Sequence, residues 1–126
     1  MPRKIGLIGV GGMGLAMARN LIAAGHAVTG YRRGAMDDLI VAGGTIAASP
    51  RDLVAAADAV VLSLPSEAAV AEVLERPDGL LAALHPGQVV IETTSLTPAQ
   101  KRAHAGRIAE AGGIMLDCPV SGTPQM

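Results

Sequence analysis

The stretch Lys4–Gly14, Lys-Ile-Gly-Leu-Ile-Gly-Val-Gly-Gly-Met-Gly, limits what this chain can fold into more than any other. A short apolar run meets a glycine turn and then enters the first turn of a helix. Gly9, Gly11 and Gly14 stand at the G-x-G-x-x-G spacing. Each answers a different steric demand. Gly9 permits a tight turn out of the strand, Gly11 lets the backbone approach a pyrophosphate, and Gly14 lets helix and strand pack closely. The spare N–H groups at the helix start, at the positive end of its dipole, suit phosphates. An apolar strand precedes the glycines, and a helix and a second strand follow them. The motif therefore predicts a dinucleotide site rather than a purely structural turn.

The remaining composition narrows the class by exclusion. At 126 residues the chain is one domain by length, with enough residues for a core. Tyr31 is its one aromatic residue, so that core must be built from Ala, Val, Ile, Leu and Met. A net charge of −1 gives no electrostatic case for nucleic acid or an anionic membrane as partner. The single cysteine, Cys118, makes no internal disulfide, which suits a reducing cytoplasm. No apolar run approaches the roughly 18–20 residues of a membrane span. The N-terminus enters directly into a strand and does not read as a signal peptide. Three histidines, His26, His85 and His104, have no metal-ligand spacing and are expected at the surface or at helix ends. No metal site is expected.

In chain order, strands are predicted at Ile5–Gly9, Ala27–Arg32, Thr45–Ala47, Ala59–Leu64, Gln88–Glu92 and Ile114–Asp117. Helices are predicted at about Met13–Ala24 and Ala35–Ala42, after Ser49-Pro50, and from Ser66 to about Glu75. One more helical turn is expected at Leu80–Leu84, and a last helix from Thr97-Pro98 to near Gly112. Gly25 stands where a left-handed cap closes the first helix. Ser49 and Ser66 read as caps, and Thr97 with Gln100 as a capping box. Such alternation predicts an α/β fold with a doubly wound parallel sheet and helices on both faces, the Rossmann arrangement. Ligands of such sheets sit beyond the carboxyl ends of the strands. The loops expected there are 9–14, 32–34, 65–66, 93–96 and 119–122.

The end of the second strand bears on the cofactor. An acidic residue there binds the ribose 2′-hydroxyl of NAD, whereas arginine accommodates the 2′-phosphate of NADP. This chain has Arg32 and Arg33, and its guanidinium forks match a phosphate. NADP(H) is expected to be preferred, with NAD(H) possible. Asp37 and Asp38 lie further on and are expected to begin the next helix.

Several segments in order resemble the β-hydroxyacid dehydrogenase family. That family includes 3-hydroxyisobutyrate dehydrogenase, tartronate semialdehyde reductase and glyoxylate/succinic semialdehyde reductases, and is related to 6-phosphogluconate dehydrogenase. The resemblance rests on Met13-Gly14, Met17-Ala18, Asn20-Leu21 and Gly25-His26 after the glycine motif, and on Arg33. It rests further on Leu64-Pro65-Ser66, on Glu92-Thr93-Thr94-Ser95 with Pro98, and on Asp117-Cys118-Pro119-Val120-Ser121-Gly122. It covers nearly the whole chain. It implies that Gly9, Gly11, Gly12, Met13 and Gly14 contact the pyrophosphate end, and that Arg33 with Arg32 takes the adenosine phosphate. Leu64, Pro65 and Ser95 would flank the nicotinamide riboside. Ser121 and Gly122 would bind the carboxylate of a small hydroxyacid or semialdehyde. Glu92 departs from the family's Asp, a change expected to lie outside the chemistry. Cys118 replaces a common Ala and is expected to be a small buried residue. Thr123 stands where the family has a second glycine.

The resemblance also defines an absence. The family's acid/base lysine lies on a long helix beyond the substrate motif, and neither Lys4 nor Lys101 matches it. No catalytic residue is therefore assigned. Residues 1–126 are expected to form the NAD(P)-binding domain of a longer oxidoreductase. The family's all-helical C-terminal domain, through which it forms homo-oligomers, is expected to be absent. Alone, the chain is expected to bind cofactor without efficient turnover. The alternatives are a stand-alone, non-catalytic dinucleotide-binding module and the N-terminal domain of an imine reductase. The Ser121-Gly122 motif argues against the latter, because an imine need not carry a carboxylate.

Overall fold

A computed structural model describes residues 3–9, 12–32 and 37–118, with the side chains of Gly12 and Met13 left out. Its strands are β1 (Lys4–Ile8), β2 (Ala27–Tyr31), β3 (Thr45–Ile46), β4 (Ala59–Leu62), β5 (Val89–Glu92) and β6 (Ile114–Asp117). Its helices are α1 (Gly12–Ala23), α2 (Asp37–Val41), α3 (Pro50–Ala56), α4 (Glu67–Glu75) and α5 (Pro98–Glu110). The strands form one sheet in the order β3-β2-β1-β4-β5-β6, and every pairing is parallel. The expected doubly wound sheet is therefore present. The chain builds outward from β1 to β3, crosses over, and builds outward again from β4. All the strands end at one crest, and the switch in strand order lies between β1 and β4.

Alternation along the strands divides the core in two. Ile8, Val60, Leu62 and Val90 face one side and pack with Leu53 and Val54 of α3, Val70, Val73 and Leu74 of α4, and Ile108 of α5. Leu7, Val28 and Val61 face the other side with Ala18 of α1 and Leu39 of α2. Aliphatic side chains fill both clusters, as the near-absence of aromatics requires. Burying one such side chain contributes about 1.5–3 kcal/mol.

The predicted caps form. The Ser49 side chain accepts from Asp52 N at 3.1 Å, and Ser66 accepts from Ala69 N at 3.2 Å. Thr97 and Gln100 make both bonds of the capping box. Gly25 ends α1 at φ +94°, while His26 N donates back to Leu21 O at 3.0 Å.

Three expectations need correction. Strand β2 stops at Tyr31 and β4 at Leu62, because ladder pairing ends with Ile8↔Tyr31, Ile8↔Leu62 and Leu62↔Glu92. Leu80–Leu84 forms a single tight turn, closed by Ala83 N on Leu80 O at 3.2 Å, and not a piece of helix; Leu80 N donates to Val73 O of α4 at 3.0 Å and Leu81 N to Leu74 O at 3.3 Å. His104 is not at the surface but is 2 % exposed, in line with Ile108 one turn along α5.

Candidate functional site: the crest at the strand ends

The crest is organised around the crossing from β1 to β4. Gly9 adopts φ +89°, and a methyl group on it would overlap Ser63 O and Leu64 Cδ2. Only glycine fits both the backbone conformation and the space. Gly9 N donates to Tyr31 O at 2.8 Å, and Ser63 N donates to Ile8 O at 2.9 Å. The turn therefore seats against both neighbouring strands. Helix α1 starts at Gly12, three positions further on, and carries no acidic residue in its first turn. Gly14 is buried within it. The first N–H groups of a helix have no partner inside it, and no nearby carboxylate of its own opposes an anion there. In that respect the residues fit a dinucleotide pyrophosphate.

On the β2 side, Arg32 is half-buried, and its Nη2 lies 3.7 Å from Asp38 Oδ1. Asp37 and Asp38 occupy the first turn of α2, as expected. Sequence order hid the consequence, which is that an acidic side chain reaches the arginine at the end of β2. Tyr31 is tied elsewhere: its hydroxyl accepts from Arg76 Nη1 at 2.8 Å, and the Arg76 guanidinium lies over its ring at 5.6 Å. Asp78 and Tyr31 together hold the Arg76 guanidinium above its ordinary pKa.

The β4 and β5 ends are joined by hydrogen bonds. Thr93 N and Thr93 Oγ1 both donate to Leu62 O, at 2.9 and 2.7 Å. Thr94 Oγ1 accepts from Leu64 N at 3.1 Å, and Thr94 N donates to Glu92 Oε1 at 2.7 Å. Thr94 is 4 % exposed and Glu92 fully buried, whereas Pro65 and Ser95 lie exposed beside them. Burial pushes the Glu92 carboxyl above the ordinary carboxylate range. Hydrogen bonds from Thr94 and, through space, the electrostatic influence of His104 pull it back, and Asp117 adds to the rise. Among the described residues, Glu92 Oε2 and His104 Nδ1 are buried polar atoms without a hydrogen-bond partner. His104 Nε2 lies 3.1 Å from Glu67 Oε1.

At the β6 end, Lys101 Nζ contacts Asp117 Oδ2 at 2.9 Å. Lys101 thus pins α5 to the end of β6. Cys118 is exposed, which corrects the expectation of a buried residue. It follows the last residue of β6, which is an edge strand among the described residues.

The structure thus brings Gly9, Leu64 and the loop carrying Ser95 together across three adjacent strands. Arg32 stands one strand away. Gly11, Arg33, Ser121 and Gly122 lie outside the described residues. Among the described residues there is no cluster of side chains able to hold a metal ion, and no helix is long and apolar enough to cross a membrane. Sequence reasoning missed the roles of Thr94 and Asp38, and it set Glu92 aside. The signal available for all three was a polar residue within a few positions of a strand end.

The model of the NAD binding domain of 6-phosphogluconate dehydrogenase matches residues 4–126. The chain belongs to that family. It is 39 % identical over 122 residues to the NAD-dependent L-serine dehydrogenase of Pseudomonas aeruginosa, covering 95 % of this chain and 41 % of that protein. Among solved structures, the Mycobacterium tuberculosis 3-hydroxyisobutyrate dehydrogenase with L-serine superposes with a TM-score of 0.92 at 30 % identity. That match covers 99 % of this chain and 43 % of that one. A Streptomyces aurantiacus imine reductase superposes with a TM-score of 0.86 at 35 % identity, over 98 % of this chain and 43 % of its own. The expected likeness to the 3-hydroxyisobutyrate dehydrogenase group is borne out, and the chain is a nicotinamide-dinucleotide-binding domain of that kind. It spans about two-fifths of the length of the relatives it matches.

Proposed function

We propose that this chain is the NADP(H)-binding part of an oxidoreductase acting on a small 3-hydroxy acid or the corresponding semialdehyde. The observation that carries the reading is the Gly9 turn, with an acid-free helix start three residues beyond it and the Leu64–Thr94 pair on the other flank. In this reading Gly9 and the backbone of residues 11–14 hold the pyrophosphate. Arg32 and Arg33 take the 2′-phosphate. Leu64, Pro65 and Ser95 flank the nicotinamide riboside. When bound, the nicotinamide accepts or donates the hydride exchanged with the carbinol or carbonyl carbon. Ser121 and Gly122 anchor the substrate carboxylate and so orient that carbon.

Proton transfer from the hydroxyl falls to a lysine outside this stretch, as the family resemblance implies. In this reading a helical second domain supplies that lysine and forms the homo-oligomer, again as the family resemblance implies. The single cysteine supports a cytoplasmic setting.

The imine reductase likeness favours a second reading, in which the same domain serves a substrate without a carboxylate. The Ser121-Gly122 motif weighs for the hydroxyacid.

Ligand binding to the folded state raises stability by about 2.7 kcal/mol when ligand is present at a hundred times its Kd. Saturating NADPH is therefore expected to raise the Tm of the 126-residue chain by several degrees. An unchanged Tm with both NADPH and NADH would contradict the reading.

A further inference from the structure

The residues assigned to the nicotinamide side, Leu64, Pro65 and Ser95, are half-buried or exposed loop residues. What fixes their spacing lies beneath them. Leu64 is bounded from two directions. On the β1 side the Gly9 backbone comes so close that a methyl group there would overlap Leu64 Cδ2. On the β5 side Leu64 N donates to the hydroxyl of Thr94.

Thr94 is itself held. Its backbone N–H donates to Glu92 Oε1 at 2.7 Å, two residues back along its own chain, and both residues are buried. A carboxylate that reaches forward to an N–H in this way closes the loop into a tight turn. The Thr93 bonds to Leu62 O already fasten the base of this loop. The Leu64–Thr94 bond lies further out, next to Ser95, and it alone of these depends on a hydroxyl carried by the outer loop. Without that hydroxyl the Leu64 N–H loses its acceptor while the base of the loop stays fastened.

We propose that Thr94, oriented by Glu92, is a positioning residue that sets the distance between the Leu64-Pro65 and Ser95 walls of the nicotinamide subsite. The inference rests on the proposed function. It adds two residues that touch neither cofactor nor substrate in that reading. Because the adenosine phosphate site lies at the β2 end, the effect of Thr94 falls on the nicotinamide half of the ligand.

The test is calorimetric titration of the 126-residue chain and its Thr94→Val and Thr94→Ser variants. The ligands are NADPH and 2′-phospho-ADP-ribose, which lacks the nicotinamide. Thr94→Val keeps the shape and removes the acceptor, and is expected to weaken NADPH about tenfold. Binding of 2′-phospho-ADP-ribose is expected to stay within about twofold, as for groups whose partners lie elsewhere. Thr94→Ser, which keeps the hydroxyl, is expected to restore NADPH binding. If Thr94→Val does not fold, Glu92→Gln serves in its place. It keeps an acceptor for Thr94 N–H but loses the charge, and is expected to weaken NADPH about two- to threefold with the same selectivity. Equal losses for both ligands would overturn the proposal in favour of general loosening, and so would no loss for either. Failure of the unmodified chain to bind NADPH would instead overturn the dinucleotide reading on which the proposal stands.

Discussion

The two halves of the sheet bring their loops to the crest by different means. In the β1–β3 half, a steric limit at Gly9 and a half-exposed ion pair between Arg32 and Asp38 shape the strand ends. In the β4–β6 half, buried hydrogen bonds run from Glu92 through Thr94 to Leu64, with Thr93 bonded to Leu62 beneath. The two halves also differ in cover. Helices α1 and α2 close one face of the sheet over β1 and β2. On that same face, the rows Ala59–Val89–Ile114 and Val61–Ile91–Leu116 run out to β6, where Ile114 and Leu116 are 50 % and 46 % exposed. The difference teaches that the half with the less complete cover has the more tightly bonded crest. Salt should therefore perturb the β2 end, and hydration or pH the β5 end.

The seam between the halves gives the largest expected effect. Gly9→Ala places a methyl group against Ser63 O in a backbone conformation that L residues rarely adopt. It is expected to cost about 3 kcal/mol or more, read from the urea midpoint. A loss below about 1 kcal/mol would mean that the two halves are not locked at this point. Next comes Gln88, 5 % exposed at the start of β5, whose Nε2 donates to Val54 O and Ala57 O and whose Oε1 accepts from His85 N. Gln88→Ala removes the side-chain bonds to Ala57 O, Val54 O and His85 N, of which Val54 O keeps Ala57 N, and is expected to cost about 2–3 kcal/mol. A neutral result would show that water replaces these bonds.

Glu92 sharpens the contrast through pH. Its folded pKa is raised, so the folded chain holds this proton at pH values where the unfolded chain has released it. Its contribution is full below the ordinary glutamate pKa of about 4.3 and is lost as pH rises through the raised value. Glu92→Gln should remove that downward slope, so that its stability relative to the parent chain rises towards neutral pH. Parallel pH profiles, measured by thermal melts, would contradict the burial of a charged form.

The smallest effect belongs to the other half. Asp38→Asn removes one half-exposed ion-pair partner of Arg32, worth at most about 1 kcal/mol to stability. It is expected to tighten NADPH about two- to fivefold at low salt, with the gain shrinking as salt is added. An equal gain for NADH would detach Asp38 from the adenosine phosphate.

The two halves were not equally legible in the sequence. The glycine spacing, the aliphatic strand runs and the caps at Ser49, Ser66 and Thr97 are local signals, and each marks an element the structure contains. The continuous apolar run in β4 is the pattern of a strand buried on both faces, and Val60 and Val61 join opposite clusters. Side chains that meet across strands left no such trace. Thr94 bonds a residue 30 positions away, Gln88 one 34 positions away, and His104 one 37 positions away. Such partners exist only once the strand order is set. Leu80–Leu84 looked helical by composition because the sequence does not reveal that α4 already claims two of its N–H groups.

The central claim is that this crest binds a nicotinamide dinucleotide with the 2′-phosphate held by the arginines after β2. Parallel calorimetric titration of the 126-residue chain with NADPH and NADH, repeated with Arg33→Ala, tests it most directly. NADPH is expected to bind more tightly, by about tenfold or more, and Arg33→Ala to lose that preference. Equal or tighter binding of NADH would contradict the arginine assignment, and binding of neither would contradict the site.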